Sequence, residues 1–146
     1  MTSNIHFITL GVRNLKRSLM FYRDGLGFNL WKEQGDIVFF DMGGMVLALY
    51  PLRLLAEDAN IKALGRDFGG ITLSHNVPFK EDVQKTLEIA RQAGGKILKQ
   101  AEDTFWGGRS GYFADPSGYP WEIAWNPFIK ISKAGKLILQ KDDFKA

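Results

Sequence analysis

The sequence predicts an α+β fold built from two β-α-β-β-β modules, and three observations predict it. The order of elements repeats: a β-branched and aromatic run, a helical stretch and three short strand-like runs occur twice in 146 residues. The tripeptide Ile8-Thr9-Leu10 returns as Ile71-Thr72-Leu73. The run from Val46 to Pro51 also aligns with the run from Glu122 to Pro127 through Ala48/Ala124 and Pro51/Pro127. A self-similar period in so short a chain suggests two half-modules that bury one sheet face against each other.

Each element follows from local pattern. Residues 5–12 read as a strand, and Asn14 offers an N-cap to a helix carrying Leu15, Leu19, Tyr22 and Leu26. Gly25 and Gly27 end that helix, and strands at 28–33, 36–41 and 45–50 are separated by Gln34-Gly35-Asp36 and Gly43-Gly44. Leu54, Leu55, Ala59 and Ile61 mark a connecting helix over 52–65. The second module, 68–128, has a helix with Glu81 and Asp82 in its first turn and Val83, Leu87 and Ala90 on one face, then strands at 96–99, 109–114 and 120–126. The expected organisation is one domain over 1–128, with module one at 5–51, and a basic, amphipathic tail over 129–146.

Composition narrows the function classes. Hydrophobic residues are 45% and charged residues 24%, as in ordinary globular chains, and no apolar run approaches the roughly 20 residues that span a bilayer. Met1-Thr2-Ser3-Asn4 lacks the features of a secretion signal, so a soluble cytoplasmic protein is expected, with no membrane partner. Zero Cys excludes disulfides, thiolate metal sites and thiol nucleophiles. A net charge of +3 from 19 basic and 16 acidic residues forms no long basic stripe, and no nucleic-acid partner is expected.

Three segments together resemble a known family: Thr9-Leu-Gly-Val-Arg-Asn-Leu-Lys-Arg-Ser-Leu-Met-Phe-Tyr22 with Gly25-Leu-Gly-Phe28, Tyr112-Phe-Ala-Asp-Pro-Ser-Gly118, and Trp121-Glu122. They are similar to the vicinal oxygen chelate superfamily, which includes glyoxalase I, bleomycin-resistance proteins and extradiol dioxygenases. The resemblance covers about residues 5–128. It implies that the modules pair into a cup-shaped, incompletely closed β-barrel, that a small molecule lies in the cup, often over a divalent metal, and that the chain forms a homodimer.

In that superfamily metal ligands come from the first and last strands of each module, with a His three residues before a Leu on the first strand. Here that slot holds Phe7, and the tripeptide offset carries its counterpart to Gly70. The last-strand slot of the first module falls at or near Val46, and only Glu122 matches. A lone carboxylate is a poor trap for a divalent cation, which needs about three or four protein donors. His6 and His75 are the remaining imidazoles, and strand alternation turns His6 away from the slot beside it. The expectation is no metal and no cofactor, with a metal-dependent lyase, isomerase or dioxygenase as the alternative.

Alternation places Glu122, Ala124 and Asn126 on one strand face and Trp121, Ile123 and Trp125 on the other. Phe7 and Thr9, and Gly70, Thr72 and Ser74, are assigned to the inward face of the two opening strands. Glu122 is the candidate catalytic residue, as a general base beside a carbonyl; it is alternatively a structural ion-pair partner or a metal ligand. Phe7, Thr9, Thr72, Trp106, Arg109, Tyr112 and Asn126 are the candidate substrate-binding residues. Trp106 and Arg109 either stack on and clamp a carbonyl-bearing or anionic ligand or, in a Gly-rich hairpin, seal the barrel end and neutralise Glu122. Asp115-Pro-Ser-Gly118 reads as a structural type I turn whose carboxylate caps backbone amides. The leading function is a metal-independent small-molecule binder or enzyme; a ligand-free dimerising interaction module is the remaining alternative.

Overall fold

A computed structural model describes residues 1, 3, 5–60, 69 and 71–138. These fall into two compact units, one built from residues up to 70 together with Asp115–Ser117, the other from residues 71–114 and 118 onward. Each unit carries a four-stranded sheet.

In the first unit β1 (Phe7–Val12) leads to α1 (Leu15–Met20), followed by a π-helical turn (Phe21–Gly25). The strands β2 (Leu30–Gln34), β3 (Ile37–Asp41) and β4 (Val46–Pro51) follow, and α2 (Leu52–Asp58) closes the unit. The sheet order is β1-β4-β3-β2, with β1 parallel to β4 and the other pairs antiparallel. Asn14 caps α1 as its sequence suggests, its side chain accepting from Arg17 N at 2.9 Å. The helix expected through Leu26 stays α-helical only to Met20; the wider π turn then buries Phe21 and Tyr22 together. Tyr22 packs there against Phe28 and Phe40, with ring centroids 5.4 and 6.0 Å away. The connecting helix ends at Asp58, short of the expected residue 65; Ile61 and Gly65 lie outside the described residues.

The second unit comprises β5 (Leu73–Asn76), α3 (Asp82–Gln92), β6 (Lys96–Asp103), β7 (Arg109–Ala114) and β8 (Pro120–Trp125), in sheet order β5-β8-β7-β6. Val83, Leu87 and Ala90 of α3 are all buried, as their spacing predicts. Beneath that helix Gly111 is obligatory: a Cβ there would lie 2.5 Å from Leu87 Cδ1 and 2.8 Å from Lys99 O. Trp121 and Phe113 stack nearly parallel, centroids 6.1 Å apart, and both are buried, so Trp121 belongs to the core of the second unit. Within the segment expected as a tail, β9 (Lys130–Ile131) and β10 (Leu137–Ile138) pair as a short antiparallel hairpin, and residues 139–146 lie outside the described set.

The two modules repeat, but not at the spacing of the shared tripeptide. Phe7 pairs with Val46 in the first sheet, and Ser74 pairs with Glu122 in the second. Because Val46 and Glu122 are the aligned positions of β4 and β8, Ser74 holds the place that Phe7 holds; Gly70, the position expected there, lies outside the described residues. The same separation lies between Leu15 and Asp82, the first residues of α1 and α3. Backbone pairing and the matched burial of Leu10 and Val77 set this register.

Candidate functional site

A polar row crosses one face of the second sheet. The register places Ser74, Glu122, Tyr112 and Lys99 opposite one another on β5, β8, β7 and β6. Ser74 Oγ donates to Glu122 Oε1 at 3.2 Å, and Tyr112 OH donates to Glu122 Oε2 at 3.1 Å. Each carboxylate oxygen is thereby fixed by a hydroxyl, and the carboxylate is partly buried between them. Burial, and then the neighbouring Glu122 charge, push the Tyr112 phenol above its ordinary pKa. Lys99 bonds Glu102 at 2.7 Å, and that contact, with weaker attraction from Tyr112 and Glu122, raises the lysine's pKa.

Arg109 does not neutralise Glu122. It pairs in register with Trp125, on the face opposite Tyr112 and Glu122. Its guanidinium donates to Asp103 Oδ1 at 3.0 Å and to Ala101 O at 3.1 Å. The Arg109 hydrogen bond, then that of Lys80, hold the Asp103 carboxyl below its usual range. Trp106 lies over the backbone of Gly108, where a Cβ would come within 1.9 Å of its ring. Thr104 closes that hairpin by accepting from Gly108 N at 3.0 Å. Asn126 forms an Asx turn, accepting from Phe128 N at 2.9 Å, and Thr72 is exposed just ahead of β5. His75 pairs with Ile123 and so shares its strand face rather than that of Glu122; desolvation lowers its imidazole pKa although the residue is exposed. Ser74 lies on the face of Glu122, as strand alternation predicts, but no signal in the sequence marks it as that carboxylate's hydroxyl partner.

Phe7 and Thr9 lie on the first sheet, on the face shared with Val46, Ala48, Phe39 and Asp41. Phe7 and Trp31 each meet the Phe39 ring edge-on, at 6.3 and 5.8 Å. The β2 strand bulges between Leu30 and Lys32, which presents Trp31 to this cluster.

A divalent metal is a frequent companion of the fold that the sequence resembles, and the donor set tests whether it fits. The paired positions are Phe7 with Val46 and Ser74 with Glu122, which offer a single charged ligand. Among the described residues no three His, Cys, Asp or Glu side chains converge. The residues present do not fit a chelated divalent cation.

Two β-α-β-β-β sheets, one carrying a carboxylate fixed by two hydroxyls, define a small α+β protein with a polar site on a sheet face. Residues 4–123 match the Glyoxalase/Bleomycin resistance protein/Dioxygenase superfamily, and the chain belongs to that family. It is 41% identical over 127 residues to Metallothiol transferase FosB of Staphylococcus haemolyticus (strain JCSC1435), covering 84% of each chain. A glyoxalase-related enzyme from Fulvimarina pelagi superposes with a TM-score of 0.86 at 35% identity, over 94% of this chain and 99% of that one. Lactoylglutathione lyase from Agrobacterium tumefaciens shares the fold, with a TM-score of 0.65 at 23% identity over 86% and 96% of the two chains. Among the described residues no helix is long and apolar enough to cross a membrane.

Proposed function

We propose that the chain is a metal-independent small-molecule enzyme or binder in which Glu122 is the working carboxylate. The carrying observation is the pair of hydroxyl hydrogen bonds, from Ser74 and Tyr112, onto its two oxygens. A carboxylate so oriented accepts a proton from carbon next to a carbonyl, and the high phenol pKa keeps Tyr112 protonated as a donor throughout. The ligand class is a carbonyl-bearing molecule. The expectation that it is anionic rested on Arg109, whose guanidinium is engaged by Asp103, and is not part of the proposal. A symmetric homodimer belongs to the same proposal, and sedimentation equilibrium tests it.

A second proposal, a metal-dependent transferase, is favoured by the 41% identity to a protein named Metallothiol transferase. Metal content separates the two. Protein purified without chelators is expected to carry well below one equivalent of Mn, Fe, Co, Ni or Zn. One tight equivalent, lost in Glu122→Ala, overturns metal independence. A carbonyl-compound screen read by thermal protection then finds the ligand class, and no protection by any member counts against the small-molecule site.

A further inference from the structure

We infer that the recess beside Phe7 and Trp31 in the first unit binds an organic ammonium ion. The recess is about 320 Å³ and is lined by His6, Phe7, Trp31, Asp41, Met45 and Val46. It is argued from the first unit alone and does not depend on the role proposed for Glu122.

Three observations converge on a cation. Phe7 and Trp31 are each 53% exposed, and with Phe39 they form an aromatic cluster at the sheet surface instead of in the core. Ring faces carry negative potential, and large rings left in water on one sheet face mark a recognition surface. Next, the cluster already attracts an ammonium from its own chain. Lys32 Nζ stands 4.6 Å from the Trp31 ring centroid and 5.3 Å from that of Phe39. A lysine on a flexible stem is a displaceable occupant, so the ring faces are open to an ammonium from outside the chain. Finally, Asp41 supplies the counter-charge. Its Oδ1 accepts from Gly43 N at 2.8 Å, which holds the carboxylate in place, and Asp41 is one of the residues that line the recess.

Aromatic faces beside one oriented carboxylate suit a ligand with a substituted ammonium group, whose bulky, weakly hydrated charge loses little on leaving water. A compact inorganic cation is disfavoured, because it needs several oxygen donors and the lining has one carboxylate. An anionic aromatic ligand would seek Lys32 instead of Asp41, and that distinction decides the test.

The full chain is titrated with benzyltrimethylammonium and, separately, with benzoate, following the Trp31 indole N–H by NMR, assigned with Trp31→Phe. Benzyltrimethylammonium is expected to shift that signal saturably and benzoate is not. Asp41→Asn, which keeps the acceptor for Gly43 N, is expected to weaken the cation by roughly 1.5- to fivefold, the span of about 0.2–1 kcal/mol for exposed ion pairs. Lys32→Ala, which removes the competing ammonium, is expected to strengthen it. Preference for benzoate, with loss of binding in Lys32→Ala, overturns the inference, as does a linear, non-saturating response to both probes. Glu122→Gln is expected to leave the titration unchanged, so failure here and failure of the Glu122 proposal are read separately.

Discussion

The buried Tyr22 hydroxyl donates to Asp115 Oδ2 at 2.7 Å, joining the π turn after α1 to the turn between β7 and β8 across most of the sequence. The other oxygen of Asp115 accepts from Ser117 N at 2.9 Å, and Ser117 Oγ accepts from Arg13 N at 3.2 Å. Asp115-Pro-Ser thus does more than close a β-turn: within the first unit it is bonded to the residues that flank α1.

Tyr22→Phe removes that donor and leaves the aromatic packing intact. Stability is expected to fall by about 1.5–3 kcal/mol, the range for a hydrogen bond to a charged group, measured by urea denaturation. A change below a few tenths of a kcal/mol would show that the bond contributes nothing net.

Glu122→Gln keeps the size of the side chain and removes its basicity. Under the proposed function turnover of any carbonyl substrate is expected to fall by about 10²–10⁴-fold while ligand protection is retained. Tyr112→Phe is expected to be milder, since Ser74 still holds the other oxygen. Equal loss of binding in both variants would make the row a binding site and not an acid–base site.

Alkaline pH provides a separate check on Tyr112. Its folded pKa is raised, so the folded state holds the phenolic proton more tightly than the unfolded chain does. This contribution is fully present below the ordinary tyrosine pKa of about 10 and is lost as pH rises through the higher folded value. Melting temperature is expected to drop less steeply above about pH 10 in Tyr112→Phe than in the unaltered protein. Parallel curves would refute the assignment.

Arg109→Ala breaks a surface ion pair with Asp103, whose side chain is 65% exposed. Such pairs are worth about 0–1 kcal/mol, so stability is expected to change little and ligand protection not at all. In carboxyl NMR titrations Asp103 moves back toward its ordinary pKa, because its largest hydrogen-bond partner is gone. Lost ligand protection would restore Arg109 to the site.

Gly108→Ala tests the hairpin end. The new methyl would meet the Trp106 ring and, at 2.5 Å, Trp125 O. A loss of about 1–3 kcal/mol is expected, with a changed Trp106 fluorescence environment. Unchanged stability and fluorescence would mean that the indole swings away at no cost.

Element order and strand faces were legible because alternation and capping are local. The face of β8 that bears Glu122, the buried face of α3 and the Asn14 cap all follow from spacing of a few residues. The register of β5 was not: the repeated tripeptide pointed to Gly70, while hydrogen bonding to β8 selects Ser74. Arg109 illustrates a signal that was present and unused, since it stands three residues from Tyr112 on one strand and must face the other way. The Lys32–Trp31 contact had no comparable signal, because it depends on a bulge in β2 that composition does not announce.

The sheet-to-turn arrangement that assigns Asp115–Ser117 to the first unit bears on how the chain comes to be folded. A nascent first module emerges with every strand of its sheet in hand, yet its last fastening is made only after three of the four strands of the second sheet have been synthesised. Long-range closure of that kind slows folding relative to two modules that each finish locally. A gene divided after residue 70 would therefore encode the tripeptide that completes the first unit with the other half.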